Sequence, residues 1–507
     1  MESTKNQNKK QKGSSKNPEN EIFQKIISHC KEYGFVFQSS EIYDGLQAVY
    51  DYGQNGSALR NNLQQAWWLA MTRLNDNIVG IDAAIFMHPT TWQASGHIEG
   101  FNDPMIDNKD SQKRYRADQI IENKADFYRN QGTEEGEKKA TDLVDKMNDL
   151  LKKEDLEGVR NLIIEENIVC EISKTANWTE VRQFNLMFST KIGSVDNEAS
   201  EVYLRPETAQ GIFVNYLNVQ KTSRLQPPFG IAQVGKAFRN EIVARQFIMR
   251  MREFTQMEMQ FFIKPGTQQE WFQKWKENRH QWHLAIGTPA DKLRFHVHDK
   301  LAHYADAAED IEFNYPIGWK EMEGIHSRTD FDLKQHEEYS KKKLRFHDAQ
   351  TKESYIPYVI ETSIGLDRLF LSVMSNAYQE IESTNENAKT ETRIVLSFPA
   401  PLAPVKVAIF PLTKKDGLPE KAMEIVNDLK LDLETFYEES AAIGKRYARQ
   451  DVIGTPFCVT VDHDTLEDDT VTLRYRDTTE QIRIPISELK AKLLYECSMS
   501  RILEKLV

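Results

Sequence analysis

From Phe229 to Phe262 the chain reads FGIAQVGKAFRNEIVARQFIMRMREFTQMEMQFF, with charged and aromatic residues alternating with apolar ones at a period of two. Successive side chains of a strand point to opposite faces. The pattern therefore puts Arg250, Arg252, Phe254, Gln256 and Glu258 on one face and Met249, Met251, Met257 and Met259 on the other. One face suits a core and the other a site. The run ending in Phe238-Arg239-Asn240-Glu241, joined through Ile242 to Phe247, predicts an antiparallel hairpin. Guanidinium forks match phosphate oxygens, an aromatic ring stacks on a base, and a carboxylate holds an ammonium. The face thus fits a polyphosphate nucleotide and a small cation, although this window alone also reads as an ion-paired solvent face.

A chain of 507 residues is too long for one ordinary core, so two or three domains are expected. No apolar run is long enough to span a bilayer. Residues 1–20 are rich in Lys and Asn and lack an apolar targeting segment, which predicts a disordered cytoplasmic tail. Cys30, Cys170, Cys458 and Cys497 are scattered without metal spacing. A net charge of −12 means that a nucleic-acid partner needs local basic surface. Lys414, Lys415, Lys445, Arg446, Arg449, Arg474, Arg476 and Arg483 supply candidates, though such a scatter alone reads as solvated charge.

Strand-like segments interrupted by long helical insertions predict an α+β domain with an antiparallel sheet over residues 21–398. A buried helix is expected from Ala58 to Leu74, strand and loop over Ile78 to Phe86 and Trp92 to Met105, and helical insertions over about 119–166 and 267–307. The proline-rich stretch Phe398 to Pro404 reads as a linker, followed by a compact α/β module over 399–507.

Three separated segments then fall together: FRNE with REF, VIETSIGLDR at Val359 to Arg368, and YLRPETAQGIFVNY at Tyr203 to Tyr216. In the second, alternation puts Glu361 and Ser363 on one strand face, with Arg368 near the start of a helix. These segments resemble the second and third signature motifs of class II aminoacyl-tRNA synthetases. LRPETAQGIF, YDYG, ASGHIEGF, YRADQIIE and GTPFCVTVD narrow the resemblance to glycyl-tRNA synthetases of the homodimeric type.

That resemblance implies a class II antiparallel catalytic domain, a C-terminal anticodon-binding domain, and ATP-dependent activation of glycine followed by transfer to tRNA(Gly). ATP is then a substrate, Mg2+ accompanies it, zinc is not expected, and the chain is a cytoplasmic homodimer. Arg239, Arg368 and Glu361 are the implied catalytic residues. The implied ATP set is Arg239, Asn240, Glu241, Met249, Arg250, Met251, Arg252, Glu253, Phe254, Glu321, Met322, Gly365, Leu366, Asp367 and Arg368. The implied glycine set is Arg116, Glu207, Phe254, Thr255, Gln256, Met257, Glu258, Glu361, Thr362, Ser363, Ile364 and Gly365, and Glu321 and Glu361 are the implied magnesium carboxylates. Arg239 is expected at the α-phosphate, Phe254 at the adenine, and Glu207 and Glu258 around the ammonium.

Gln54, Thr362 and Met249 depart from residues common in such enzymes, and none removes a group that the chemistry needs. His296, His298 and His303 form an HxH…H pattern without a fourth ligand nearby. Two alternatives stay open: a synthetase-like subunit that binds nucleic acid without catalysis, and another class II ligase such as a seryl or threonyl enzyme.

Overall fold

A computed structural model describes residues 18–193, 200–242, 246–298, 301–302, 304–384 and 390–507. The expected tail lies outside the described residues up to position 17, and a helix starts at Pro18.

Seven strands form the central sheet: β1 (Ile78–Ile81), β2 (Phe229–Phe238), β3 (Glu253–Ile263), β4 (Leu293–Val297), β5 (Ala307–Tyr315), β6 (Gly318–Thr329) and β7 (Tyr358–Gly365). Their order is β4-β5-β6-β7-β3-β2-β1. All neighbours are antiparallel except β1 and β2. Of the second expected insertion, Gln268–Ala285 is helix but Leu293–Val297 is edge strand β4, where Leu293, Phe295 and Val297 alternate. Trp92 belongs to a short helix, Pro89–Ala94, started by proline at its first turn and by the His88 side chain accepting from the Thr90 amide.

The period-two reading separates the faces of β3. Met257, Met259, Phe261 and Ile263 enter the main core with residues of helices Gln54–Thr72, Gln268–Ala285 and Leu366–Ala377. Burying each such side chain contributes about 2 kcal/mol. On the other face, Phe262 joins Phe229, Ile231 and Val359 beneath helix Ala209–Ser223. Further along that face the residues become Gln260, Glu258, Gln256 and Phe254, so the sheet changes from covered and apolar to polar.

The β2–β3 connection is longer than expected. It spans Arg239 to Arg252 and contains a 3-10 turn, Phe247–Met249. Gln246 and Phe247 have φ of 71° and 58°, left-handed values that reverse the chain and end the alternation. Arg250 and Arg252 therefore precede the strand instead of lying on its face. Positions 243–245 lie outside the described residues.

The pairing of β5 with β6 slips between Ile311 and Glu312. Across this irregularity Met322 enters the apolar core, Glu323 meets Arg279 and His283 of the Gln268–Ala285 helix, and Glu321 faces the site cavity.

The first insertion forms three helices, Ala117–Arg129, Glu134–Lys152 and Leu156–Glu165, around their own core of Ile121, Leu143, Met147 and Ile163. The C-terminal module has a five-stranded sheet with its own core. Its junction is packed: Leu402 and Ala403 are buried, the Lys406 ammonium donates to the Pro401 and Ala403 carbonyls at 2.8 Å, and Arg476 donates to Phe398 O at 2.7 Å. The proline-rich stretch thus joins the two parts through buried and bonded groups. No helix among the described residues is long and apolar enough to cross a membrane.

Candidate active site

A cavity of about 260 Å3 opens on the polar sheet face, between the ends of β2, β3, β6 and β7 and the Arg239 to Arg252 segment. Arg239, Glu241, Met249, Arg250, Met251, Phe254, Glu321, Gly365, Asp367 and Arg368 line it, with Gln256 and Ser363. Ile248 also lines it, without having been expected there.

The cations are held by specific bonds. The Arg239 guanidinium lies between the Phe101 and Phe254 rings, 5.4 Å from each centroid, and its Nε donates to Pro206 O at 3.1 Å. Arg368 donates to Met249 O at 3.3 Å and reaches the Glu321 carboxylate at 3.0 Å. That arginine holds the Glu321 carboxyl below its usual range. Arg250 stands 3.9 Å from Glu241. Asp367 accepts from Tyr52 Oη at 2.5 Å and from the Thr255 amide at 2.9 Å, which ties the helix after β7 to β3.

The remaining expected residues lie elsewhere. Arg252 donates to the carbonyls of Glu241 and Gln47, and Glu253 pairs with Lys236 at 2.8 Å. The main-chain N–H of Asn240 donates to Leu186 O, Asn240 does not line the cavity, and Met322 and Leu366 belong to the core. Met257 and Ile364 also belong to that core; Thr255 and Thr362 are buried at odd and even register positions opposite the site face. Alternation turns these four side chains away from the cavity. Arg116 is held by Asp118 at 2.5 Å and Asp103 at 3.4 Å, and it lines a second cavity of about 350 Å3 that shares Arg250 with the first.

Beyond Gln256 and Ser363 the same face carries Glu258 and Glu361, with Glu207 delivered by the segment before helix Ala209–Ser223. Gln260 Nε2 donates to Glu258 at 2.6 Å and to Glu361 at 2.7 Å. The Thr208 hydroxyl donates to Glu258. Glu361 also meets His326 Nδ1 at 2.7 Å and Arg328 Nη1 at 2.9 Å. Glu207 lies 3.5 Å from His97 Nε2 and accepts from Gln210 at 3.0 Å.

These surroundings separate three chemically identical groups. Burial, then the neighbouring Glu361 and Glu207, push Glu258 well above the carboxylate range. Burial acts the same way on Glu361, but Arg328 and His326 outweigh it and hold that carboxyl at about 2. Burial is likewise outweighed at Glu207, which His97 and Arg328 depress far below its ordinary value. The result is a chamber, a buried cluster at the inner end of the cavity with fixed negative charge and one protonated acid, suited to a small cation.

His97, Thr208, Gln233, Gln260, His326 and Arg328 were missed by the sequence reading. Gln233 and Gln260 continue the alternation of the site faces of β2 and β3 and could have been found that way. The Gln233 amide is fully buried with neither polar atom bonded within the protein. Such a group is free to bond a polar ligand or a water. Thr208 adjoins Glu207 in the PETAQG segment and His97 lies in ASGHIEGF, so both were within reach of those motifs, whereas His326 and Arg328 come from a distant strand and carry no local signal.

As a metal holder, Glu321 fits, because its half-exposed carboxylate faces the cavity. Glu361 does not present a free oxygen: Oε1 meets His326 and Oε2 accepts from Arg328 and Gln260.

Comparison with known families agrees with this architecture. Residues 188–377 match the tRNA synthetase class II core domain (G, H, P, S and T), 103–142 and 130–186 match glycyl-tRNA synthetase insertion domain 1, and 406–496 match an anticodon binding domain. The chain is 53% identical over 468 residues to a glycine–tRNA ligase of Chlorobaculum tepidum, covering 92% of this chain and 97% of the relative. A glycine–tRNA ligase of Treponema denticola is 50% identical, covering 93% and 96%. One of Staphylococcus saprophyticus is 50% identical, covering 92% and 97%.

Proposed function

The chain belongs to the glycine–tRNA ligase family, and from that premise we propose how its site divides the work. The protein is a class II ligase that activates glycine with ATP and transfers glycyl to the 3′ end of tRNA(Gly). The glycine carboxylate attacks the α-phosphorus of ATP, the bond to the β-phosphate oxygen breaks, and pyrophosphate leaves. Little acid–base work is needed, so positioning and charge stabilisation dominate.

Arg239 meets the α-phosphate, Phe254 stacks on adenine with Glu241 at its edge, and Arg250 and Arg368 take the outer phosphates. Arg252 acts indirectly, by fixing the Glu241 main chain. Glu321 would hold magnesium, which supplies positive charge to the phosphates. Glu207 and Glu258 receive the ammonium, Glu361 keeps Gln260 and Arg328 in place, and Ser363 closes the floor. Glycine is selected because the chamber is filled: one extra methyl costs on the order of 1–3 kcal/mol.

The observation that carries this reading is the placement of Phe254 and Glu258 on one face of β3, joining a cavity lined by three arginines to a buried carboxylate chamber. In the C-terminal module, Arg446, Arg474 and Arg476 are buried and bonded internally, which leaves exposed Lys414, Lys415, Lys445, Arg449 and Arg483 for anticodon phosphates. The resemblance of Ala58 to Asp103 to the first class II motif supports a homodimer, working in the cytoplasm.

The test is pyrophosphate exchange into ATP by the purified full chain. Exchange dependent on glycine supports the reading. No exchange with any amino acid favours a non-catalytic subunit, and exchange with serine or threonine favours another class II ligase.

A further inference from the structure

The sheet face that carries Glu361 continues toward the far edge, where β4, β5 and β6 gather a second set of ligating side chains. His298 follows the end of β4, and its Nε2 lies 2.8 Å from Asp310 Oδ2 on β5. Asp310 pairs with Gly324 and Ala308 pairs with His326, so Asp310 and His326 share the face that holds Glu361 and Ser363. The His298 and His326 rings approach edge to face with centroids 5.8 Å apart. One ligand atom from each of His298, Asp310 and His326 lies within 4.8 Å of the other two. Gly324 keeps the space between them clear: a Cβ there would stand 3.4 Å from His326 Nε2 and 3.5 Å from Asp310 Oδ1.

We propose that His298, Asp310 and His326 bind a divalent transition metal of the zinc type, at a site distinct from the magnesium position at Glu321. Two imidazole nitrogens and one carboxylate oxygen are a donor set for zinc or cobalt, whereas magnesium takes oxygen ligands. His326 is already set up as a ligand. Its Nδ1 meets the Glu361 carboxylate at 2.7 Å, the support that fixes the tautomer of a metal-bound histidine and leaves Nε2 as the donor. Ligands about 2.1 Å from one ion are at most about 4 Å apart, so closure needs only small side-chain rotations. Binding replaces the hydrogen bond between His298 and Asp310 with bonds to the ion, and its proton passes to solvent. The bound ion would tie the edge strand β4 to β5 and β6 and, through His326, steady Glu361. Local spacing hides this group, because Asp310 and His326 come from other strands than the HxH pair; His303 of that pattern lies outside the described residues.

The experiment uses the full chain, stripped of metal by chelator dialysis and titrated with Co2+ in excess Mg2+, so that oxygen-only sites are filled. The expected result is one Co2+ per chain, seen as visible d–d absorption and abolished by Zn2+ competition. His298→Ala and Asp310→Asn should each weaken binding by at least about tenfold. His296→Ala, whose ring lies 6.2 Å from His298 but outside the trio, should leave it unchanged. No saturable absorption by the wild-type chain overturns the proposal, whatever the folding of the variants. So does binding that survives His298→Ala or disappears with His296→Ala in protein with a wild-type unfolding transition.

Discussion

Glu258 and Glu361 share a single donor, the Gln260 side-chain amide, at 2.6 Å and 2.7 Å. Two buried carboxyls so placed, of which only Glu361 is paired with a cation, do not both ionise until a second cation arrives. Glu361 is held at about 2 by Arg328 and His326 against burial, and burial with its like-charged neighbours pushes Glu258 well upward. Glu258 therefore carries the proton until an ammonium replaces it. Glycine binding should release close to one proton, and its affinity should rise with pH until Glu258 ionises unaided. Titration calorimetry in two buffers of different ionisation enthalpy measures the release. Wild-type binding without proton release, or release that persists in Glu258→Gln, would contradict this account.

Arg239 is fixed between two aromatic rings at the mouth of the cavity. A cation preplaced where negative charge develops is worth about 10²–10³ in rate. Arg239→Ala should lower glycine-dependent exchange by that factor, and Arg239→Lys should recover little, since an ammonium cannot reproduce the planar fork. Binding to tRNA should stay within about twofold of wild type, because the C-terminal module has a core of its own. Equal loss of exchange and of tRNA binding would instead indicate misfolding.

The period-two pattern made β3 legible, because each odd residue from Met257 to Ile263 has an apolar partner and each even one from Phe254 to Glu258 has a polar role. What failed was local continuity. The left-handed pair Gln246 and Phe247 ends the alternation, so Arg250 and Arg252 belong to a turn. The slip at Ile311 and Glu312 exchanges the faces of Glu321 and Met322, which no periodicity in β6 alone announces. His97, His326 and Arg328 reach the chamber only through tertiary folding. Their partners lie at Glu207 and Glu361, too far along the chain for any spacing rule.

Gly235 faces Arg205, whose buried guanidinium donates to Lys236 O at 2.6 Å and Ala83 O at 2.7 Å. A Cβ at Gly235 would stand 2.1 Å from Arg205 Nη2, so that guanidinium must move and leave carbonyls unpaired. Gly235→Ala should destabilise the chain by about 2 kcal/mol. It should also raise the KM for glycine, since Arg205 anchors the segment that carries Glu207. A thermal transition and KM both equal to wild type would show that Arg205 yields freely.

On the opposite face of β6, Glu323 accepts from Arg279 Nε at 2.6 Å and lies 2.7 Å from His283 Nε2, all three side chains being inaccessible. Burial opposes the charge on Glu323, but Arg279 and His283 outweigh it and keep the carboxyl below its usual range. Burial lowers His283, so the imidazole is neutral and donates its Nε2 proton, and Arg279 alone neutralises the carboxylate. Arg279→Met would strand that charge and should cost about 3–5 kcal/mol in urea denaturation, because a buried ion without its partner loses its compensation. Adding Glu323→Leu removes the stranded charge and should recover most of the loss, leaving the double variant more stable than Arg279→Met alone. Glycine-dependent exchange at temperatures where the variants stay folded should change little, since the trio points away from the cavity that Glu321 lines. A single variant within about 1 kcal/mol of wild type, or a double variant less stable than the single, would mean that packing and not charge compensation holds this helix to the sheet.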